Sequence, residues 1–97
     1  LSQARVSFVT TVGYVDFSVE SRANVYSVQV YSDGHETITH NCKVVSVFPK
    51  SPLLAPLVKT VERVKPLVLR YFASSDSPVM RSVLYYKIRQ ALEEVES

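Results

Sequence analysis

The fold is decided by residues 5–48, RVSFVTTVGYVDFSVESRANVYSVQVYSDGHETITHNCKVVSVF, which are rich in Val, Thr, Tyr and Phe and alternate between apolar and polar. A period of two marks strands with one buried face. Four strands are predicted. The first, near Arg5 to Thr11, directs Val6 and Phe8 to one side, and the second, near Tyr14 to Glu20, directs Val15, Phe17 and Val19. The third, near Val25 to Ser32, directs Tyr26, Val28 and Val30, and the fourth, near Glu36 to Val47, directs Ile38, His40, Cys42 and Val44.

A slip of one residue would turn a whole apolar set into water, so the four sets must share a face, and this sets the register. A two-residue turn at Val12-Gly13 places Phe8 opposite Phe17 and Val6 opposite Val19; a loop from Ser21 to Asn24 places Phe17 opposite Val28. A two-residue Asp33-Gly34 turn would throw the last two strands out of phase. A three-residue Asp33-Gly34-His35 loop restores the phase, with glycine supplying positive φ at low cost.

After Phe48 the periodicity becomes helical. Ser51-Pro52 reads as an N-cap and first helical residue, followed at helical spacing by Leu54, Leu57, Val58, Val61, Val64, Val68, Tyr71 and Phe72. Pro66 removes an amide donor and predicts a kink or break. Ala73 to Asp76 separates this helix from a second, which starts at Ser77-Pro78 and carries a buried stripe of Met80, Leu84, Ile88, Ala91, Leu92 and Val95. The expected class is α+β: a four-stranded antiparallel meander followed by two C-terminal helices packed on one face, in a single domain of residues 1–97.

With 46% hydrophobic residues, 21% charged and only two glycines in 97, the chain buries enough apolar surface to offset its ordering entropy. A net charge of +2 is far from the positive field needed to bind duplex DNA by charge alone, so a nucleic-acid role would rest on local charge or stacking. One cysteine, Cys42, forms no intramolecular disulfide, and with two histidines it falls short of a four-ligand zinc site. Neither metal nor cofactor is expected. No segment approaches about 18 apolar residues, and Leu1 to Arg5 lacks a signal-peptide pattern, so a cytoplasmic protein without a membrane partner is expected.

The outward face of the proposed sheet sets Tyr14 opposite Tyr31, flanked by Thr11 and Thr37. Further rows hold Val9, Asp16, Gln29 and Thr39, then Ser7, Ser18, Ser27 and Asn41, then Arg5, Glu20, Val25 and Lys43. Adjacent tyrosines can stack unpaired bases while Arg5 and Lys43 hold phosphate. Equally, cross-strand tyrosines stabilise any solvated sheet, and Asp16 and Glu20 oppose phosphate. The helices add Lys59 and Arg63, four residues apart, and a column of Arg81, Tyr85 and Arg89, which either grips a backbone or is a solvated face.

Catalytic signatures are scarce. His40 and Cys42 alternate onto one inward face, where a small hydrophobe and a satisfied core histidine are the ordinary roles. No P-loop, HExxH or GxSxG pattern occurs, and no enzyme is expected.

Four meandering strands followed by helices, with outward Tyr14 and Tyr31, helical Lys59 and Arg63, and the Arg81-Tyr85-Arg89 column, resemble the small archaeal ThermoDBP-related proteins. That resemblance implies binding of single-stranded DNA or RNA in an aromatic-lined cleft edged by basic side chains, usually by an oligomer. The plan is also similar to the Whirly and transcription-coactivator single-strand binders. The modest charge of the sheet face departs from that pattern. The expected function is non-catalytic, largely sequence-independent binding of single-stranded DNA or RNA by Arg5, Tyr14, Tyr31, Lys43, Lys59, Arg63, Arg81, Tyr85 and Arg89. The alternative is an interaction domain that forms homo-oligomers through its apolar helices without binding nucleic acid.

Overall fold

The computed structural model describes residues 6–47 and 49–96. Its order is β1 (Ser7–Thr10), β2 (Tyr14–Glu20), β3 (Val25–Tyr31), β4 (Glu36–His40), β5 (Lys43–Val44), α1 (Leu54–Ala73) and α2 (Pro78–Glu96). The strands form one antiparallel sheet in chain order, and both helices follow it. The α+β class and the meander are as expected, with five strands in place of four.

The first two pairings match the sequence reading: Phe8 faces Phe17, Phe17 faces Val28, and Tyr14 faces Tyr31. Val15, Phe17 and Val19 of β2 and Tyr26, Val28 and Val30 of β3 point to one side, where they meet Leu54, Leu57, Val61, Val64 and Val68 of α1. Phe17, Leu57, Val61 and Ile88 are fully buried, and each such side chain contributes about 1.5–3 kcal/mol through area removed from water. The helices therefore occupy one face of the sheet and leave the other open.

The third hairpin is displaced from the expected register by two residues. Its loop is Ser32-Asp33-Gly34, because the Tyr31 amide donates to the His35 carbonyl (2.9 Å) and the Gly34 amide to the Tyr31 carbonyl (2.9 Å). A three-residue hairpin needs positive φ at its last loop position, and Gly34 takes it at 94°. The Asp33-Gly34-His35 loop would have put glycine in the middle. The shift by two keeps every side chain on its face but moves the rows: Thr37 faces Gln29, Thr39 faces Ser27, and Val30 faces Glu36.

The fourth predicted strand does not run on to Val47. It reverses at Asn41-Cys42, both at positive φ (52° and 70°), and returns as β5. Asn41 is suited to this conformation, and its side chain secures the reversal: Oδ1 accepts from the Val25 amide at 2.8 Å. Cys42 is consequently exposed in a turn and shares no inward face with His40. Val44, now opposite Thr39, lies on the open face and is 72% exposed.

The first helix starts later than expected. Ser51 sits in the turn before α1, its Oγ accepting from the Leu53 amide at 3.2 Å, and the N-cap is Leu53 without a side-chain cap. The helix continues through Pro66 without a break. Pro66 and Glu62, whose carbonyl the proline leaves without its helical donor, are both exposed, so water can satisfy that oxygen. Helix α2 begins as predicted: Ser77 Oγ accepts from the Met80 amide at 3.4 Å, and Pro78 is the first helical residue.

Its inward stripe is Leu84, Ile88 and Leu92, but Met80 is 42% exposed. The position that continues the stripe towards the N-terminus is Arg81, whose guanidinium lies 4.4 Å from the centre of the Tyr71 ring on α1.

Candidate functional site

The open face is built around an aromatic row at one end of the sheet. The rings of Tyr14 and Tyr31 are 5.2 Å apart at 40°, and the His35 imidazole lies parallel to Tyr31, 4.2 Å away at 6°. The row runs across β2 and β3 to the residue just before β4, because Tyr14 and Tyr31 are register partners and the shifted loop brings His35 across from Tyr31. Thr11 anchors one end: its Oγ1 donates to the Tyr14 carbonyl (2.7 Å) and accepts from the Tyr14 amide (3.2 Å). Asp33 anchors the other, its Oδ1 accepting from the His35 amide at 3.0 Å and lying 2.5 Å from Nδ1. The backbone and imidazole hydrogen bonds from His35 hold the Asp33 carboxyl below the usual carboxylate range.

The next row is polar and closed upon itself. Gln29 Nε2 donates to Asp16 Oδ1 (2.7 Å) and Thr39 Oγ1 (3.3 Å), while Thr37 donates to Gln29 Oε1 (2.7 Å). With its amide so satisfied, Gln29 can sit buried on an otherwise open face. Ser7 and Ser18, opposite one another, share a 3.2 Å hydroxyl contact. Among the described residues this face carries Asp16 and Glu20 but no lysine or arginine.

The nine residues expected to bind are not brought together. Tyr14 and Tyr31 share the open face, whereas Arg5 lies outside the described residues. Lys43 faces His40, and His40 stacks on the inward Tyr26 (4.6 Å, 7°), so Lys43 belongs to the helix side of the sheet and not to the tyrosine face. The reversal at Asn41-Cys42 is the cause. Lys59 and Arg63 line a groove of about 380 Å³ with Ala55, Pro56 and Thr60 on α1, across the sheet from the tyrosines.

The Arg81-Tyr85-Arg89 column is kept only in part. Arg81 is taken up by Tyr71, whereas Tyr85, packed on Phe8 of β1 (5.1 Å), and Arg89 line one groove of about 330 Å³ beside β1, which Glu93 also borders. His35 is the residue that the sequence reading assigned to a turn and that the structure adds to the aromatic row. The Asp-Gly pair at positions 33 and 34, placed as the last two residues of the loop, was the signal that could have found it.

His40 Nε2 bonds Asn24 Oδ1 at 2.7 Å and is remote in role from the exposed Cys42 thiol, so the two form no dyad. Among the described residues no group of three or more His, Cys, Asp and Glu could hold a metal ion, and no helix is long and apolar enough to cross a membrane. In comparisons with protein-family models, curated proteins and solved structures, nothing matches this chain.

Proposed function

We propose that the protein is a non-catalytic module that binds single-stranded DNA or RNA on its open sheet face, with little dependence on sequence. The observation that carries this reading is the contiguous row Tyr14, Tyr31 and His35, on a face left uncovered by both helices. Every base offers a π-face, so stacking on such rings tolerates any sequence. The hydroxyl groups of Ser7 and Ser18, two rows further along the same face, suit the sugar and exposed base edges.

The absence of lysine and arginine from this face among the described residues makes stacking, not phosphate neutralisation, the source of affinity. Affinity is therefore modest and its salt dependence shallow, at most about the slope of one or two phosphate contacts, each about 0.7 in log K against log salt for single strands. Fluorescence anisotropy with a labelled oligothymidylate over a salt series tests this. Saturable binding with a shallow slope is expected; no binding at low salt would remove the reading, and a steep slope would relocate the site to the helices.

A second reading is favoured by α2. Val79, Val83 and Tyr86 recur at helical spacing and are 76%, 44% and 60% exposed, with Met80 beside them. Such a stripe marks interfaces more often than solvated helix faces, which supports an assembly role through this helix. On helix α1 the apolar residues Leu57, Val61, Val64 and Val68 are buried in the core. Sedimentation equilibrium of the parent and of Val83→Glu distinguishes an oligomer held by this stripe from a monomer.

A further inference from the structure

We propose that His35 is a binding residue of the open face, whose protonation tightens the hold on an anionic strand and leaves a neutral stacked ligand unaffected. This rests on the reading of that face as a single-strand site. Histidine is the side chain whose ordinary titration falls between about pH 5 and pH 8. Here its ring lies flat against Tyr31 at 4.2 Å, which leaves one imidazole face for a ligand, and its side chain is 55% exposed.

The charges around it give the effect a sign. Asp33 from the turn touches Nδ1; Tyr31 of β3 lies beneath the ring and Tyr14 of β2 beyond that. Glu36, the next residue along, points to the other side of the sheet, where Lys65 of α1 pairs with it at 2.7 Å. Asp16, one row away, is held by Gln29. With neutral histidine the Asp33–His35 pair is net negative and repels phosphate. With protonated histidine the pair is neutral, and the positive ring is the part that faces the ligand.

Asp33 keeps its charge through this change, because its carboxyl is held below the usual carboxylate range by its bonds from His35. One unit of charge a few ångströms from a phosphate, in a partly solvated setting, changes affinity about three- to tenfold. The lower pH is the tighter-binding side.

The experiment is anisotropy of a labelled oligothymidylate, whose bases take up no proton in this range, at about pH 5.5 and about pH 8. It uses the parent, His35→Phe and His35→Gln, each checked for its fold by circular dichroism. The parent is expected to bind about three- to tenfold tighter at the lower pH. His35→Phe keeps a ring on Tyr31 and binds equally at both; His35→Gln is also insensitive to pH and weaker. Binding by the parent that ignores pH, or a pH response that survives in His35→Phe, overturns the assignment of His35 alone. No binding at either pH overturns the single-strand reading on which it stands.

Discussion

Arg81 of α2 lies with its guanidinium 4.4 Å from the centre of the Tyr71 ring on α1, and its Nε is buried without a hydrogen-bond partner. This arginine joins the two helices and does not belong to a solvent-facing basic column. Planarity and weak hydration suit guanidinium, not ammonium, to such a stack. Arg81→Ala is therefore expected to lower stability by about 1 kcal/mol in urea denaturation and to leave oligonucleotide affinity unchanged. A variant of parental stability and weakened binding would return Arg81 to the binding surface.

The two tyrosines of the open face are expected to act on affinity and not on salt dependence. Tyr14→Leu or Tyr31→Leu should each weaken single-strand binding by about 1–3 kcal/mol while the salt slope stays as in the parent. Lys59→Ala and Arg63→Ala, across the sheet, should change neither. Titrations of all four variants at two salt concentrations check this, and a slope that flattens in Lys59→Ala would put phosphate on the helices.

The turn at Asn41-Cys42 gives a prediction about the fold itself. A side chain at φ 70° is strained, and glycine at the second position of such a two-residue turn relieves it. Set against the greater unfolded-state entropy of glycine, Cys42→Gly should raise stability by about 0.5–1 kcal/mol, measured as an increased urea midpoint. Were strand four to run straight through Cys42, the same change would lower it.

Asp33 contributes to acid sensitivity with a defined sign. Its carboxyl titrates lower in the folded chain than in the unfolded one, so between those two values the unfolded chain binds more protons. The stabilisation is complete above the ordinary carboxylate range and is lost as pH falls through the lowered folded value. The urea midpoint of Asp33→Asn should therefore fall less steeply than that of the parent as pH drops through the carboxylate range.

Much of this architecture was legible in the chain because it depends on local rules. The alternation from Val6 to Val30, the Val12-Gly13 turn and the loop from Ser21 to Asn24 all specify one register, since any other exposes Val15, Phe17 and Val28 to water. The pairing of Tyr14 with Tyr31, and hence the core of the candidate site, follows from that register. Ser77-Pro78 likewise announced α2, because proline at the first helical turn sacrifices no hydrogen bond.

What only the tertiary structure decided is where a two-residue change keeps the face and moves the neighbour, and where a polar side chain is drawn inward. Sliding the third hairpin by two leaves every side chain of the paired strands on its own face, so periodicity could not choose between the loops. The chain closure at Gly34 did, and it brought His35 onto Tyr31. The reversal at Asn41-Cys42 depends on the bond from Asn41 to the Val25 amide, sixteen residues earlier, and it carried Lys43 off the tyrosine face. Arg81 took the inward place that spacing allotted to Met80 because Tyr71, on another helix, offered a ring for its guanidinium to cover. Each is a contact between segments distant in the chain, and such contacts exist only once the sheet and helices have packed.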